Sequence, residues 1–72
     1  MTNTQLLEAK IKASGKKISY LAAKCGLSYA GFRNCVTNKA EFKPSQIEIL
    51  CIELGITSLK EKNLIFFAPV GS

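Results

Sequence analysis

The sequence predicts an all-α fold of five short helices, and three observations carry that prediction. Apolar residues recur at helical spacing, most clearly at Ile47, Leu50, Cys51 and Leu54, which share one face at i, i+3, i+4 and i+7. Polar residues or proline open such stretches, and Gly15, Gly26, Asn38 or Gly55 close them. No segment sustains an apolar–polar alternation between hairpin turns, so no strand is expected.

Taken in order, Thr2 with Gln5 three positions on has the form of a capping box for a first helix, whose Leu7 and Ile11 fall on one face and whose end is Ser14-Gly15. A second helix is expected over about Ile18 to Lys24, stopped at Cys25-Gly26. The third covers about Tyr29 to Thr37, with Ser28 as N-cap and Asn38 as a left-handed terminator. Residues 39–43 are polar apart from Ala40 and Phe42, and Phe42 is expected to fold back as a lid on the core. Pro44 suits the first turn of the fourth helix and Gly55 its end. Ser58 with Glu61 is a second capping box, opening a fifth helix over about 58–68 that carries Leu64, Ile65 and Phe67 and is ended by Pro69 and Gly71.

Seventy-two residues, 47% of them hydrophobic, form one domain spanning 1–72. A domain this small buries only about 60% of its unfolded surface, so its stability is modest and oligomerisation is a natural supplement. The net charge is +5 and the isoelectric point near 9.3. Its distribution says more than its total. Residues 1–43 carry Lys10, Lys12, Lys16, Lys17, Lys24, Arg33, Lys39 and Lys43 against Glu8 and Glu41, a net +6. Residues 44–72 carry Lys60 and Lys62 against Glu48, Glu53 and Glu61, a net −1. The first part suits a polyanion; the alternative at this level is a face of solvated lysines.

Several function classes recede. Histidine is absent, no carboxylate pair recurs at useful spacing and no glycine-rich phosphate loop exists, so no enzyme and no cofactor are expected. Cys25, Cys35 and Cys51 form no C-x-x-C pair and are odd in number, which argues against zinc and against a disulfide framework and fits a reducing cytoplasm. They read as small hydrophobes rather than redox sensors. No signal peptide is evident, and the longest apolar run, 64–70, is too short to cross a bilayer, so no membrane role is expected.

The segment from Ile18 to Thr37 satisfies the four demands of a helix-turn-helix. Ala22 is small where the two helices approach, and Gly26 has no Cβ where the turn needs positive φ. Leu21, Cys25, Leu27, Phe32 and Cys35 fill the wedge, and Ser28 caps the second helix. At Leu21-Ala22, Gly26-Leu27-Ser28, Phe32 and Cys35 the chain resembles the phage repressor and Cro-type helix-turn-helix superfamily. Asn38 to Phe42, the Ile-rich fourth helix and Phe66-Phe67 extend the resemblance to short Cro-like proteins of prophages in Gram-positive bacteria, over nearly the whole chain. It implies a compact five-helix lambda-repressor-like domain in the bacterial cytoplasm or nucleoid. It further implies a sequence-specific regulator, a repressor acting by occluding a promoter. The chain departs from the pattern where Lys17 replaces the usual Ser or Thr cap, where Ile18 replaces a phosphate-binding Gln, and where Tyr29-Ala30 replace amide or basic readers.

With Phe32 and Cys35 inward, helical geometry turns Tyr29, Ala30, Arg33, Asn34 and Thr37 outward. Arg33, the only arginine, can fork onto guanine or clamp a phosphate, and Asn34 can pair with adenine or orient Arg33. Ala30 can meet a thymine methyl, and Tyr29 a phosphate or a base edge. Tyr29, Ala30, Arg33 and Asn34 are therefore the candidate base contacts; Lys16, Lys17, Ser28, Thr37, Asn38, Lys39 and Lys43 are the candidate phosphate contacts. If six of the eight cations in residues 1–43 engaged phosphate, the slope of log affinity on log salt would be about −5. The expected partner is double-stranded DNA with a pseudo-palindromic operator, bound by a homodimer. Ile65, Phe66, Phe67 and Val70 either cap the core or form the dimer seam. The competing function is a protein-interaction module, antitoxin- or antirepressor-like, on the same fold.

Overall fold

Helix α1 (Thr4–Ser14) starts one residue later than a Thr2 cap would place it. The cap is Asn3, whose side-chain oxygen accepts from the Leu6 N–H at 3.1 Å and whose carbonyl accepts from the Leu7 N–H at 3.0 Å. Residues 1–3 are held extended by the far end of the chain: the Asn3 N–H donates to the Ile65 carbonyl at 2.6 Å and the Ala68 N–H to the Met1 carbonyl at 2.9 Å. Thr2, expected as the cap, is buried beside them.

A computed structural model describes residues 1–69 and contains four further helices: α2 (Ile18–Lys24), α3 (Tyr29–Val36), α4 (Pro44–Leu54) and α5 (Leu59–Phe66). Among these residues there is no strand. Pro44 occupies the first turn of α4, and Gly55 ends it in the left-handed region. Ser58 caps α5 by accepting from the Glu61 N–H at 2.9 Å. The Glu61 carboxylate turns instead to Lys10 on α1, at 3.3 Å. α5 is shorter than expected because the backbone leaves helical geometry at Phe67.

One hydrophobic cluster takes residues from every helix: Leu7 and Ile11, Leu21 and Ala22, Phe32 and Val36, Ile47 and Leu50, Ile65 and Phe66. Phe42 is the lid the sequence suggested. Its ring stands edge-on to Phe32 at 5.7 Å and to Phe66 at 5.9 Å, a geometry worth about 0.5–1.5 kcal/mol per pair beyond burial. Gln46, unremarked in the sequence, is buried with its amide satisfied at both ends. It accepts from the Lys43 N–H at 2.9 Å and donates to the Cys25 carbonyl at 3.3 Å, joining the start of α4 to the end of α2.

The expected dimer seam changes here. Ile65 and Phe66 are only 2% and 4% exposed, because α5 packs them against α1 and Phe42, so neither is available at a surface. Phe67 is 56% exposed, and Val70 lies outside the described residues. Cys25 and Cys35 are buried and Cys51 half-buried; burial pushes all three thiols above their ordinary pKa, as suits small core hydrophobes. The Cα radius of gyration is 11.0 Å and the longest principal extent 27 Å.

Candidate nucleic-acid interface

The α2–α3 unit is built by its turn. Gly26 has φ +71°, a region that penalises a Cβ, and this lets the chain reverse within one residue of the end of α2. The Leu27 N–H then folds back to the Ala22 carbonyl at 2.9 Å, and the Cys25 and Gly26 N–H groups also bond to the end of α2. Leu27 is thereby pressed against the core, and Ser28 opens α3 by accepting from the Gly31 N–H at 3.0 Å. A Cβ at Gly31 would sit 3.2 Å from the Ser28 oxygen, so this glycine gives the cap its room.

The far end of α3 is fixed as firmly. Asn38 takes φ +67°, and the Lys39 N–H donates to the Asn34 carbonyl at 2.8 Å. Thr4 on α1 donates its hydroxyl to the Val36 carbonyl at 2.6 Å. These bonds satisfy carbonyls that a helix end leaves open.

Between these anchors, Phe32, Cys35 and Val36 face the core. At about 100° per residue, the opposite side is centred on Ala30, Asn34 and Thr37, all exposed. Tyr29 is 59% exposed at the start of the helix. Among the described residues the Asn34 side chain has no hydrogen-bond partner, leaving its donor and acceptor pair open. Arg33 stands roughly 70° to one side of the outward line. Its guanidinium meets Glu8 of α1 through Nη2 at 3.2 Å.

The expected phosphate contacts divide. Lys17, Lys39 and Lys43 are exposed at the starts of α2 and α4 and just after α3, and have no ion pair among the described residues. Ser28 uses its oxygen as an acceptor and keeps its proton. Thr37 donates its hydroxyl back to the Arg33 carbonyl at 2.9 Å. Both ends of the Asn38 amide bond to Thr2 at 2.8 Å, so this side chain is structural. Lys16 turns to the C-terminus of α4, donating to the Glu53 carboxylate at 2.8 Å and to its carbonyl at 2.7 Å. Tyr20 donates to the same carboxylate at 3.0 Å, and the two hydrogen bonds hold the Glu53 carboxyl below its ordinary pKa. Lys24 lies over the Tyr20 ring at 5.6 Å. Thr37, Asn38 and Lys16 thus hold hydrogen-bond partners within the chain while remaining exposed.

Among the described residues no group of acidic, cysteine or histidine side chains could hold a metal ion, and no helix is long and apolar enough to cross a membrane. Comparisons with protein-family models, curated proteins and solved structures return no match.

Proposed function

We propose that the chain is a sequence-specific double-stranded-DNA-binding regulator of transcription, a Cro-like repressor, in which α2 and α3 act as a helix-turn-helix and α3 enters the major groove. The observation that carries this reading is the outward face of α3. Ala30, Asn34 and Thr37 form a short, exposed surface on a helix anchored at both ends, and the amide of Asn34 has no partner within the described residues. An α-helix with such a face fits the major groove. Asn34 then pairs with adenine N6 and N7, Ala30 meets a thymine methyl, and Tyr29 reaches a flanking phosphate or base edge. Lys17, Lys39 and Lys43 supply phosphate contacts, which position the helix without reading sequence.

Two copies bind a pseudo-palindromic site. With a longest extent of 27 Å, neighbouring copies bring equivalent helices within reach of half-sites about 34 Å apart. The copies meet through exposed Leu59, Leu64 and Phe67, which border one groove beside α5. Selection from a random duplex library, followed by binding of Asn34→Ala, tests the function. Enrichment of a motif whose adenine preference is lost in the folded variant supports it. An unenriched library from folded protein overturns it in favour of a protein-interaction module.

A further inference from the structure

The pairing of Arg33 with Glu8 lies on the edge of a depression of about 310 Å³ between α1, the start of α2 and the flank of α3. Ile11 and Ile18 give it an apolar wall, and Lys12, Lys16, Glu8 and Arg33 complete the lining. The Lys16 ammonium is taken by Glu53, whereas Lys12 has no acidic partner among the described residues. Arg33 touches Glu8 through one nitrogen only, and a guanidinium carries five N–H donors, so most of its hydrogen-bonding capacity is uncommitted.

From this geometry we infer that Lys12 and Arg33 form a phosphate site, and that Glu8 is the internal counter-ion the phosphate displaces. Arg33 is then a backbone clamp and leaves base reading to Asn34 and its neighbours. Three observations carry this. Arg33 lies off the outward line of α3, on the side of α1 rather than in line with Ala30 and Asn34. Its charge is already met by a carboxylate, the anion whose hydrogen-bond geometry a phosphate shares. The depression pairs an apolar wall with cations, which suits a sugar–phosphate unit better than the flat polar edge of a base pair. Lys12, on α1 and outside the α2–α3 unit, lines the same depression as Arg33.

The inference rests on the regulator reading for the source of the phosphate, a DNA backbone, while the site itself stands on its own residues. Two measurements separate them. Inorganic pyrophosphate, titrated without DNA, should shift the amide resonances of Lys12, Ile18 and Arg33 in the wild-type protein, and Lys12→Ala and Arg33→Ala should abolish those shifts. Absence of the shifts in wild type overturns the site. Shifts in a protein that selects no duplex support the phosphate site and overturn its assignment to DNA.

On a selected duplex, Arg33→Ala and Lys12→Ala should each weaken binding about tenfold at 0.1 M salt, equally for matched and mismatched duplexes. Each should make the salt slope shallower by about 0.9. Arg33→Lys should keep both slope and sequence preference, since a phosphate accepts a point charge where a guanine needs the fork. Glu8→Gln should bind about threefold tighter, because one like charge near the phosphate is gone. Loss of preference at a single base pair in Arg33→Ala and Arg33→Lys alike, with the slope unchanged, would show base reading and overturn the clamp.

Discussion

Asn38 holds both backbone groups of Thr2: its side-chain oxygen accepts from the Thr2 N–H and its amide donates to the Thr2 carbonyl, each at 2.8 Å. A residue 36 positions away thus replaces the strand partner that an extended segment would otherwise need. Asn38 also adopts φ +67°, which asparagine tolerates better than most residues. Replacement by alanine removes two hydrogen bonds and adds backbone strain, a loss of about 2–4 kcal/mol. For a domain this size that lowers Tm by roughly 10–25 °C. Asn38→Gly keeps the backbone conformation and should fall between the two in a thermal melt. Neither variant should alter the salt slope of DNA binding when measured on folded protein.

Phe42 connects a helix-free segment to two aromatic rings. Phe42→Ala should cost about 3–5 kcal/mol, a large part of the stability of a domain this size, and Phe42→Leu clearly less. Urea titrations followed by circular dichroism give both values. A wild-type-like midpoint for Phe42→Ala would contradict its place in the core.

Glu53 gives the fold a pH dependence of known sign. Hydrogen bonds from Lys16 and Tyr20 hold its carboxyl below the ordinary value of 4.5. The stability it adds is therefore present above that value and is lost as pH falls through the lower folded-state pKa. Wild type should exceed Glu53→Gln in stability near neutrality, and the two should converge in acid. Parallel melts across that range, with a constant gap at low pH, would disprove the linkage.

Leu59 and Leu64 on α5 and Phe67 just past its end are exposed around one groove. Three side chains from each copy fall short of the roughly 1,600 Å² of a standard stable interface, so pairing should depend on DNA. Phe67→Ser should melt within about 0.5 kcal/mol of wild type, as exposed substitutions do. On a duplex with two half-sites it should lose cooperativity, and on a single half-site bind unchanged. Sedimentation should show a monomer for both proteins without DNA.

The parts of the fold readable in the sequence were those with local causes. Ser28, Pro44, Gly26 and Gly55 act on their own turn of chain, and each marks an element end where the structure has it. Phe42 was readable because it is the only large apolar residue in its segment. The rest depends on which elements cross. Thr2 yields the cap to Asn3 because Ile65 fixes the segment from the other end of the chain. In the apolar run 64–67 the phase is set by contact with α1, so Phe66 goes in while Phe67 stays out. Lys16 meets Glu53, and Arg33 meets Glu8, because of helix crossings that no spacing along the chain encodes. The scaffold of the candidate interface was thus legible, whereas the partners of its charged side chains were not.

The double anchoring of α3, by Ser28 at its start and by Asn38, Thr4 and Phe42 beyond its end, has a thermodynamic consequence. The helix has already given up its conformational freedom when the chain folds, so little ordering remains for the moment of docking. Association should therefore carry a small heat-capacity change and only a modest entropic penalty, unlike a basic arm that becomes helical on contact. In the proposed complex, what such a helix gains in readiness it loses in adaptability: a site whose groove has the wrong width would meet a surface that cannot follow it.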